Sequence, residues 1–343
     1  IIKTNKMQIV VTGGLGFIGS HTVVELQNVG YEVIVIDNLS NSSIDVLGGI
    51  ERITGKQPIF EQIDLREKAA VQTFFAKYTE VTGVIHFAAS KAVGESVQNP
   101  LLYYENNIAS LVYLLQELQK KPEAHFIFSS SCTVYGQAEM MPIAETTPIQ
   151  AAMSPYGNTK QIGEEIIADV TKVSGLNAIL LRYFNPIGAH PSTEIGELPI
   201  GVPQNLVPFI TQTGMGLRKE LSVYGNDYPT VDGTCVRDYI HVVDLAKAHV
   251  VALQRLLDKK NETTLEVFNL GTGKGSSVLE VITAFEKVSG QKLPYTIVPR
   301  REGDVTEAYA NTEKANTVLG WKTAATLEEA IDSAWKWEQK IRR

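Results

Sequence analysis

A tyrosine and a lysine stand four positions apart in the segment SPYGNTK, which covers residues 154–160. Ser154 is a suitable helix N-cap and Pro155 suits the first helical position, so we predict that a helix begins here. The spacing then places Tyr156 and Lys160 on one face of the helix, one turn apart. A phenol beside an ammonium group can act as a general acid or base, because the positive charge favours the phenolate. Two polar side chains on the outside of a helix are the simpler explanation of the same pattern.

A glycine-rich turn near the start of the chain has the spacing of a dinucleotide-binding site. Gly14-x-Gly16-x-x-Gly19 follows a predicted strand and opens a predicted helix. Glycines at these positions allow a tight turn and a close approach of the main chain to a pyrophosphate, which then lies at the helix N-terminus. The alternative is a glycine-rich turn that binds nothing.

Two aspartates follow predicted strands. Asp37 ends the second strand, 18 residues after Gly19, where a carboxylate can bind the adenosine ribose. It would repel a 2′-phosphate, so the predicted cofactor is NAD rather than NADP. Other helix caps are available in DNLSNSS, and we therefore expect Asp37 to be left for the ribose. Asp64 follows the third strand and either faces the adenine or caps a helix. A bound cationic nicotinamide, like the Lys160 ammonium, would lower the pKa of Tyr156.

Serine hydroxyls are predicted at the carboxyl end of the fifth strand, in FSSSCTVYG, where open α/β sheets bind ligands. Ser129–Ser131 could supply a hydroxyl to the chemistry, although serines at strand ends are also common loop residues. The fourth strand ends in HFAAS, whose small residues would let a cofactor lie against the main chain. No histidine pairs with Cys132 in the sequence, so we interpret this cysteine as a packed residue rather than a nucleophile.

The elements that must position these residues alternate between strand and helix. Runs such as VIVID are apolar on both faces, as in strands covered on both sides. Repeated strand, crossover helix and strand predict an α/β fold with a doubly wound parallel sheet of the Rossmann type. The predicted strands are Gln8–Thr12, Glu32–Asp37, Pro58–Gln62, Gly83–Phe87, His125–Ser130 and Ala178–Tyr183, and the clearest predicted helices are Phe17–Val29, Asn107–Gln119 and Tyr156–Val173.

The character of the sequence changes after Asn185, where Pro- and Gly-rich loops replace the clean alternation. We predict an NAD-binding domain over residues 7–185 and a smaller α/β substrate-binding domain over residues 186–343. The chain is expected to cross back to the sheet near residues 237–270. Residues 1–6 are left out of the fold prediction.

Composition limits the class of protein. The 343 residues are 44% hydrophobic and 20% charged, as in soluble globular proteins. The formal net charge of −7 argues against a nucleic-acid partner, which normally needs a basic surface. No apolar run approaches the length of a membrane span, no signal-peptide pattern opens the chain, and two cysteines form no disulfide framework. We therefore predict a cytoplasmic protein without membrane association, and no metal site.

Longer segments carry a family resemblance. A glycine-rich turn, a strand-end serine and Tyr-x-x-x-Lys in this order resemble the extended short-chain dehydrogenase/reductase family. GFIGSH, DNLSNS, KAVGESV, SSSCTVYG, LRYFNPIGAHP, GNDYPTVDGTCVRDYIHV, NLGTGKG and PRREGD are similar to segments of the UDP-glucose 4-epimerases, over about residues 7 to 340. Related nucleotide-sugar 4,6-dehydratases would carry an Asp-Glu pair after the serine, where this chain has Cys132 and Thr133.

The resemblance implies a redox epimerisation of UDP-galactose and UDP-glucose. C4 of the sugar is oxidised to a ketone with NAD, the keto sugar turns about its pyrophosphate link, and hydride returns to the opposite face. Tyr156 would take the 4-hydroxyl proton, Lys160 would bind the nicotinamide ribose, and Ser131 would hydrogen-bond the reacting oxygen. Besides these three, the predicted cofactor-binding residues are Gly13, Gly16, Phe17, Ile18, Gly19, Asp37, Asn38, Asn41, Ser42, Asp64, Leu65, Phe87, Ala88, Ala89, Lys91, Asn106, Tyr183 and Phe184.

The resemblance also implies a binding site for the UDP group. Arg237 and Arg301 would pair with the diphosphate, since forked guanidinium donors suit phosphate oxygens, and Asp304 would contact the uridine ribose. A surface ion pair would be the ordinary explanation of either arginine alone. Besides Ser131 and Tyr156, the predicted substrate-binding residues are Asn185, Asn205, Leu206, Tyr224, Arg237, Arg301, Asp304 and Ala308.

A small residue, Ala308, stands four positions after Asp304, where family members restricted to glucose and galactose carry a tyrosine. The resemblance implies room for a 2-acetamido group, and hence activity on UDP-GlcNAc and UDP-GalNAc, unless Tyr309 or a nearby loop fills the space. A homodimer is also implied, through helices near residues 99–120 and 155–174, although their apolar positions could belong to the core of one chain. The alternatives are an epimerase mainly for UDP-N-acetylhexosamines or UDP-uronic acids, and a catalytically silent NAD-binding regulator.

Overall fold

The computed structural model of this chain describes residues 7–121, 123–301 and 304–343. The six N-terminal residues set aside above lie outside this range, as do Glu302 and Gly303 of the PRREGD segment. The chain forms two compact units. The first unit contains the residues up to Gly136, Ile149–Arg182 and Ala246–Phe268, and the second unit contains Gln137–Pro148, Tyr183–Leu245 and Asn269–Arg343.

Strands and helices alternate along the chain. The strands are β1 (Gln8–Thr12), β2 (Glu32–Asp37), β3 (Ile59–Gln62), β4 (Val81–His86), β5 (His125–Ser131), β6 (Asn177–Tyr183), β7 (Asn185–Ile187), β8 (Leu221–Tyr224), β9 (Val236–Arg237), β10 (Tyr239–His241), β11 (Leu265–Leu270), β12 (Ser276–Ser277), β13 (Tyr295–Val298) and β14 (Glu307–Ala308). The α-helices are α1 (Phe17–Asn28), α2 (Val46–Thr54), α3 (Lys68–Lys77), α4 (Val93–Gln98), α5 (Pro100–Tyr104), α6 (Ser110–Leu118), α7 (Pro155–Val173), α8 (Leu206–Gly214), α9 (Val242–Leu257), α10 (Val278–Ser289) and α11 (Leu327–Ile341).

The main sheet has the strand order β11-β6-β5-β4-β1-β2-β3. Parallel pairing joins β1 to β2 and β4, with Val10 opposite Ile34 and Val84, and also joins β2 to β3 and β4 to β5. The order reverses beside β1, which is the doubly wound arrangement, and β11 extends it at one edge. The predicted fold class is confirmed.

The core explains why these apolar runs become buried strands. Ile9, Val10 and Val11 are all fully buried, although successive side chains of a strand point to opposite faces. A strand that is apolar on both faces needs helices on both sides, and the crossover connections supply them. The helix predicted over Asn107–Gln119 starts earlier than expected. A π-helical turn, Glu105–Ala109, precedes α6, and α5 begins at Pro100, a residue suited to the first helical position.

The second unit is built from short sheets and longer helices. β8 pairs with β13, β7 pairs with β10, and β9 lies between β12 and β14. Phe285 of α10 meets Trp335 of α11 edge to face, with ring centroids 5.2 Å apart, inside an apolar cluster shared with α8. α10 begins with a capping box made by Ser277 and Glu280, which fixes where the helix starts relative to β12.

Candidate active site

The glycine-rich turn between β1 and α1 brings the main chain close to the end of β4. Gly13 has a φ of 65°, and a Cβ atom on it would lie 2.8 Å from the main-chain nitrogen of Ala88. Gly16 is the N-cap of α1, which begins at Phe17, so Phe17, Ile18 and Gly19 form the first turn of the helix. A side chain at Gly13 would collide with this main chain, so the tight turn requires glycine, and the start of α1 that follows the turn suits the pyrophosphate of a dinucleotide.

Asp37 lies at the end of β2 with 8% of its surface exposed. Its carboxylate accepts hydrogen bonds from the amides of Leu15 and Leu39, at 3.1 and 3.0 Å, and from Ser42 Oγ at 2.8 Å. Asp45, not Asp37, is the N-cap of the following helix α2, and the Asp37 carboxylate instead orders the turn after β2. A carboxylate offers about four acceptor positions, so one remains for a ribose hydroxyl.

Asp64 is bound within its own turn. Its carboxylate accepts the Arg66 amide at 2.9 Å, the Arg66 guanidinium at 2.7 Å and Asn38 Nδ2 at 3.2 Å. These donors, the Arg66 side chain above all, lower the pKa of Asp64 to about 2. Glu67, not Asp64, is the N-cap of α3. Two other predicted cofactor-binding residues lie near Asp37 and Asp64 in the sequence. Leu65 is buried and Asn41 is exposed.

The loop after β4 is held by two consecutive asparagines. Phe87–Ala89 are partly buried, and Ser90 next to them is bound from the π-helical turn. Asn106 donates to Ser90 Oγ at 3.0 Å, and Asn107 both donates to the Ser90 carbonyl at 3.0 Å and accepts from its amide at 2.8 Å. Asn107 also donates to Thr159 Oγ1 of α7 at 3.0 Å. The turn thus ties the loop to the helix that carries Tyr156, while Lys91 is exposed.

The start of α7 has the predicted geometry. Ser154 is the N-cap, its Oγ accepts the Gly157 amide at 3.1 Å, and Pro155 occupies the first turn. Lys160 is 4% exposed, and its Nζ donates to the main-chain oxygen of Ser129 at 2.7 Å. The ammonium lies 5.9 Å from the centroid of the Tyr156 ring. Lys160 therefore faces the protein interior, and Tyr156 next to it is partly buried.

Ser131 completes this group at the end of β5. It caps the 3₁₀ turn Cys132–Tyr135, with its Oγ accepting the Thr133 amide at 3.2 Å, and it is hydrogen-bonded to the Tyr156 side chain. Tyr156, Lys160 and Ser131 thus meet at the carboxyl edge of the sheet. Cys132 beside them is partly exposed and contributes a small raising effect to the pKa of Tyr156.

The electrostatics differ from expectation in one respect. Burial raises the pKa of Tyr156 to about 12, and the Ser131 hydrogen bond opposes this rise. This is the opposite of the predicted lowering by Lys160, because an enclosed phenolate loses its hydration. Burial also lowers the pKa of Lys160 to about 8, against a raising effect of Glu164. The positive charge of a nicotinamide is the further influence that would favour the phenolate.

A buried histidine stands beside this group and was not singled out from the sequence. His86 Nδ1 and Thr12 Oγ1 are 2.7 Å apart, and its ring stacks on Phe128, which also lies 4.8 Å from Lys160 Nζ. Burial and the Lys160 charge lower the pKa of His86 to about 3, so the imidazole is neutral at physiological pH. Its position at the end of β4, in HFAAS, was the available signal.

In the second unit, several residues predicted to bind UDP meet. Arg301 donates to Asp304 with both Nε and Nη2, at 3.2 and 2.7 Å, and its guanidinium lies 5.4 Å from the Tyr224 ring centroid. Arg237 Nη2 is 4.0 Å from Asp304 Oδ1. Two guanidinium groups beside one carboxylate leave a net positive charge, which suits a diphosphate.

Ala308 belongs to the same part of the second unit. On β14 it pairs with Arg237 of β9 and is 9% exposed. Tyr309 follows the end of β14, and its ring lies against Gly275.

Other predicted residues of the second unit lie on different elements. Tyr183 ends β6, the buried Phe184 follows it, and Asn185 begins β7, where its amide donates to the Asp238 carbonyl at 2.9 Å. Asn205 is the N-cap of α8, which begins at Leu206, and its side-chain amide donates to Glu197 at 2.6 Å.

Comparison with known proteins shows which family the chain belongs to. The GDP-mannose 4,6 dehydratase family model matches residues 10–334. A UDP-glucose 4-epimerase of Bacillus subtilis (strain 168) is 51% identical over 333 residues, which are 97% of each chain. The chain belongs to the UDP-glucose 4-epimerase family.

Solved structures of UDP-glucose 4-epimerases agree with this assignment. The enzyme of Stenotrophomonas maltophila, with bound NAD and formylated UDP-arabinopyranose, is 46% identical, has a TM-score of 0.94 and covers 98% of this chain and 99% of its own. The enzyme of Bifidobacterium longum, in complex with NAD+ and UDP, is 47% identical with a TM-score of 0.92 and the same coverage. In this epimerase chain, no described helix is long and apolar enough to cross a bilayer. The described residues of the epimerase chain also include no group of three or more His, Cys, Asp or Glu side chains that could hold a metal ion.

Proposed function

We propose that this protein interconverts UDP-galactose and UDP-glucose by oxidation at C4, rotation of the 4-keto sugar and reduction on its other face. The observation that carries the proposal is the meeting of Tyr156, Ser131 and Lys160 at the carboxyl edge of the sheet that also carries the glycine turn. Full-length similarity to UDP-glucose 4-epimerases supports it.

The chemistry requires a redox step. C4 of a hexose has no adjacent carbonyl, so removal of a proton from that carbon is not accessible, whereas oxidation makes the carbon planar. Bound NAD would supply the hydride acceptor and donor that this exchange at C4 needs. The start of α1 after the glycine turn and the remaining acceptor position of Asp37 are the parts of this chain that suit NAD.

The proton at the 4-hydroxyl is handled by the chain itself. Tyr156 Oη would take it as the hydride leaves and return it in the reverse half-reaction. Ser131 Oγ, already bonded to the Tyr156 side chain, would hydrogen-bond the same sugar oxygen. Lys160 would hold the nicotinamide ribose and, as an ammonium, favour the phenolate of Tyr156.

Holding the nucleotide tightly leaves the sugar free to turn. Arg237 and Arg301 would bind the diphosphate and Asp304 the uridine ribose, while Asn185, Asn205, Leu206 and Tyr224 would contribute to the rest of the substrate site. The Arg301–Asp304 ion pair supports this assignment, because it orients the guanidinium before a phosphate arrives. We assign NAD binding to the first unit and UDP-sugar binding mainly to the second.

The small residue Ala308 supports a wider substrate range. Alanine is much smaller than the tyrosine of restricted family members, and the Tyr309 ring lies against Gly275. UDP-GlcNAc and UDP-GalNAc are therefore proposed as further substrates.

A homodimer is proposed through the surface of α4 and α5. Val93, Val97 and Leu101 expose 49%, 62% and 79% of their areas there, whereas the leucines of α6 are core residues. Sedimentation equilibrium should give a dimer for the wild type and a monomer for Leu101→Arg. A wild-type monomer at micromolar concentration would exclude this proposal. The protein is proposed to be cytoplasmic, and the lack of a disulfide between Cys132 and Cys235 supports a reducing compartment.

The function is tested by incubating the protein separately with UDP-galactose, UDP-GalNAc and UDP-galacturonate and identifying each product. We expect UDP-glucose and UDP-GlcNAc from the first two and no product from the third. Conversion of UDP-galacturonate alone would favour a uronate epimerase. Bound NAD without any conversion would favour the silent regulator.

A further inference from the structure

A buried carboxylate lies one helical turn beyond Lys160. Glu164 of α7 is 6% exposed, and it accepts Ser130 Oγ at 2.5 Å. Arg182 of β6 donates to both of its oxygens, from Nε at 2.9 Å and from Nη2 at 2.5 Å. Arg182 also donates to Tyr135 Oη at 3.0 Å. The proposed reaction uses none of these four side chains.

This network is continuous with the catalytic group through the end of β5. Ser130, which binds Glu164, stands between Ser129, whose carbonyl accepts Lys160, and Ser131, which is bonded to Tyr156. Lys160 and Glu164 are four residues apart on one helix, the spacing at which side chains are neighbours. A structural explanation also exists, namely that the ion pair simply fastens α7 to β6.

The charges around Lys160 favour a second role. The groups facing its ammonium are the Ser129 carbonyl and the Phe128 ring on β5, His86 on β4, and Tyr156 and Glu164 on α7 itself. His86 is neutral, so Glu164 is the negative charge among these groups, and the positive charge next to it is its partner Arg182 on β6. Burial acts to remove the proton from Lys160, and Glu164 acts against burial.

Resting on the proposed function, we propose that Glu164 is a positioning residue that keeps Lys160 in its ammonium form beside Tyr156. It acts through Lys160 and does not touch the substrate. Arg182, Ser130 and Tyr135 hold its carboxylate in place and satisfy its acceptors, as a buried charge requires.

The test compares Glu164→Gln with Glu165→Gln, since Glu165 is the exposed neighbour on the same helix. The measurement is the pH profile of kcat/KM for UDP-galactose. Loss of the negative charge should move the alkaline limb down by about one pH unit, which means activity about fivefold lower near pH 8 and nearly unchanged activity near pH 6. The Glu165→Gln profile should match the wild type.

Glu164→Gln leaves Arg182 buried without its charged partner, and this loss could prevent folding. A second variant avoids the problem. Glu164→Leu/Arg182→Leu removes both charges, and its alkaline limb should also move to lower pH. An unmoved limb in a folded, NAD-containing double variant would overturn the proposal and leave only the structural role.

A readout independent of turnover separates this inference from the proposed function. The NMR chemical shift of the Lys160 Cε carbon, assigned by comparison with Lys160→Met and followed against pH, reports the ionisation of Lys160 itself. In the Glu164 variants this ionisation should move to lower pH, because the negative charge that favours the ammonium is gone. The same titration applies if the wild type proves inactive as an epimerase, and an unchanged titration would count against Glu164.

Discussion

Lys160 Nζ donates a hydrogen bond to the main-chain oxygen of Ser129 over 2.7 Å. The bond joins α7 to the end of β5, and Ser131 stands two residues further along the same strand. One strand end and one helix start therefore fix the relative positions of the ammonium, the serine hydroxyl and the phenol. Because these three groups have fixed positions, single substitutions can test the role of each one in the proposed reaction.

Removal of the Tyr156 hydroxyl should abolish turnover without affecting cofactor binding. In Tyr156→Phe the ring remains in place, but no group can take the 4-hydroxyl proton, and a loss of at least about 10²-fold in kcat is expected. NAD content, measured after acid release, should stay at the wild-type level. Tyr295→Phe, on an exposed tyrosine, is the control. Near-normal turnover in Tyr156→Phe would refute the proton-transfer role.

Activity should fall on the alkaline side as Lys160 loses its proton. Burial lowers the pKa of Lys160 to about 8, so the ammonium fraction decreases as the pH rises through that value. Above it, kcat/KM should drop about tenfold per pH unit. Circular dichroism at each pH checks that the fold persists. A flat profile up to about pH 10 would contradict a required ammonium.

His86 should make folding sensitive to acid. Burial and Lys160 lower the pKa of His86 to about 3, whereas an exposed histidine titrates near ~6.5. As the pH falls below ~6.5 the unfolded chain takes up the proton first, so stability present at neutral pH is lost on the way down. From pH 6.5 to 5 this amounts to about 2 kcal/mol of unfolding free energy.

Urea unfolding at pH 7 and pH 5 measures this effect. His86→Gln should lose less stability between the two pH values than the wild type, whatever its stability at pH 7. His190→Gln, on a partly exposed histidine, should retain the wild-type difference. Equal pH dependence in His86→Gln and wild type would show that the imidazole is not kept neutral.

The size of residue 308 should set the substrate range. Ala308→Tyr should retain activity on UDP-galactose but reduce kcat/KM for UDP-GalNAc by more than about tenfold, because the ring takes the space of the acetamido group. Ala308→Ser, which changes little volume, is the matched control. The prediction fails if wild type and Ala308→Tyr use UDP-GalNAc equally well, or if the wild type does not use it.

Two adjacent arginines should differ in their effect on nucleotide binding. Arg301→Gln removes a charged donor next to Asp304 and should raise the KM for UDP-galactose about 10- to 100-fold. Arg300→Gln is the matched control, because Arg300 pairs with Asp227 and stacks on Tyr228, at 4.0 Å from its ring centroid. Similar KM values for both variants would remove Arg301 from the UDP site.

Local features of the molecule were accessible from the sequence, and features that depend on distant partners were not. The start of α7 follows from Ser154 and Pro155 alone, and the parallel sheet follows from runs that are apolar on both faces. Arg182 is 18 residues from Glu164 and on another element, so no spacing rule connects them. Glu164 itself could have been found, since it extends the four-residue spacing from Tyr156 to Lys160 by one step.

The pKa predictions also separate into local features, which the sequence shows, and features that depend on the folded structure. The sequence shows that Lys160 neighbours Tyr156, but the enclosure that raises the pKa of Tyr156 depends on the assembled sheet. Likewise, Asp37 was correctly placed at a strand end, while its bond from the Leu15 amide arises only when the glycine turn folds over it.

The π-helical turn at Glu105–Ala109 has a consequence for insertions and deletions. It lets consecutive residues, Asn106 and Asn107, both reach Ser90, although neighbours on a regular helix diverge by roughly 100°. A π-helical turn holds one residue more than a turn of α-helix, so deleting one residue there would restore a regular helix and leave only one of the two asparagines able to reach Ser90. Relatives and engineered variants should therefore differ at this segment in residue type far more readily than in length.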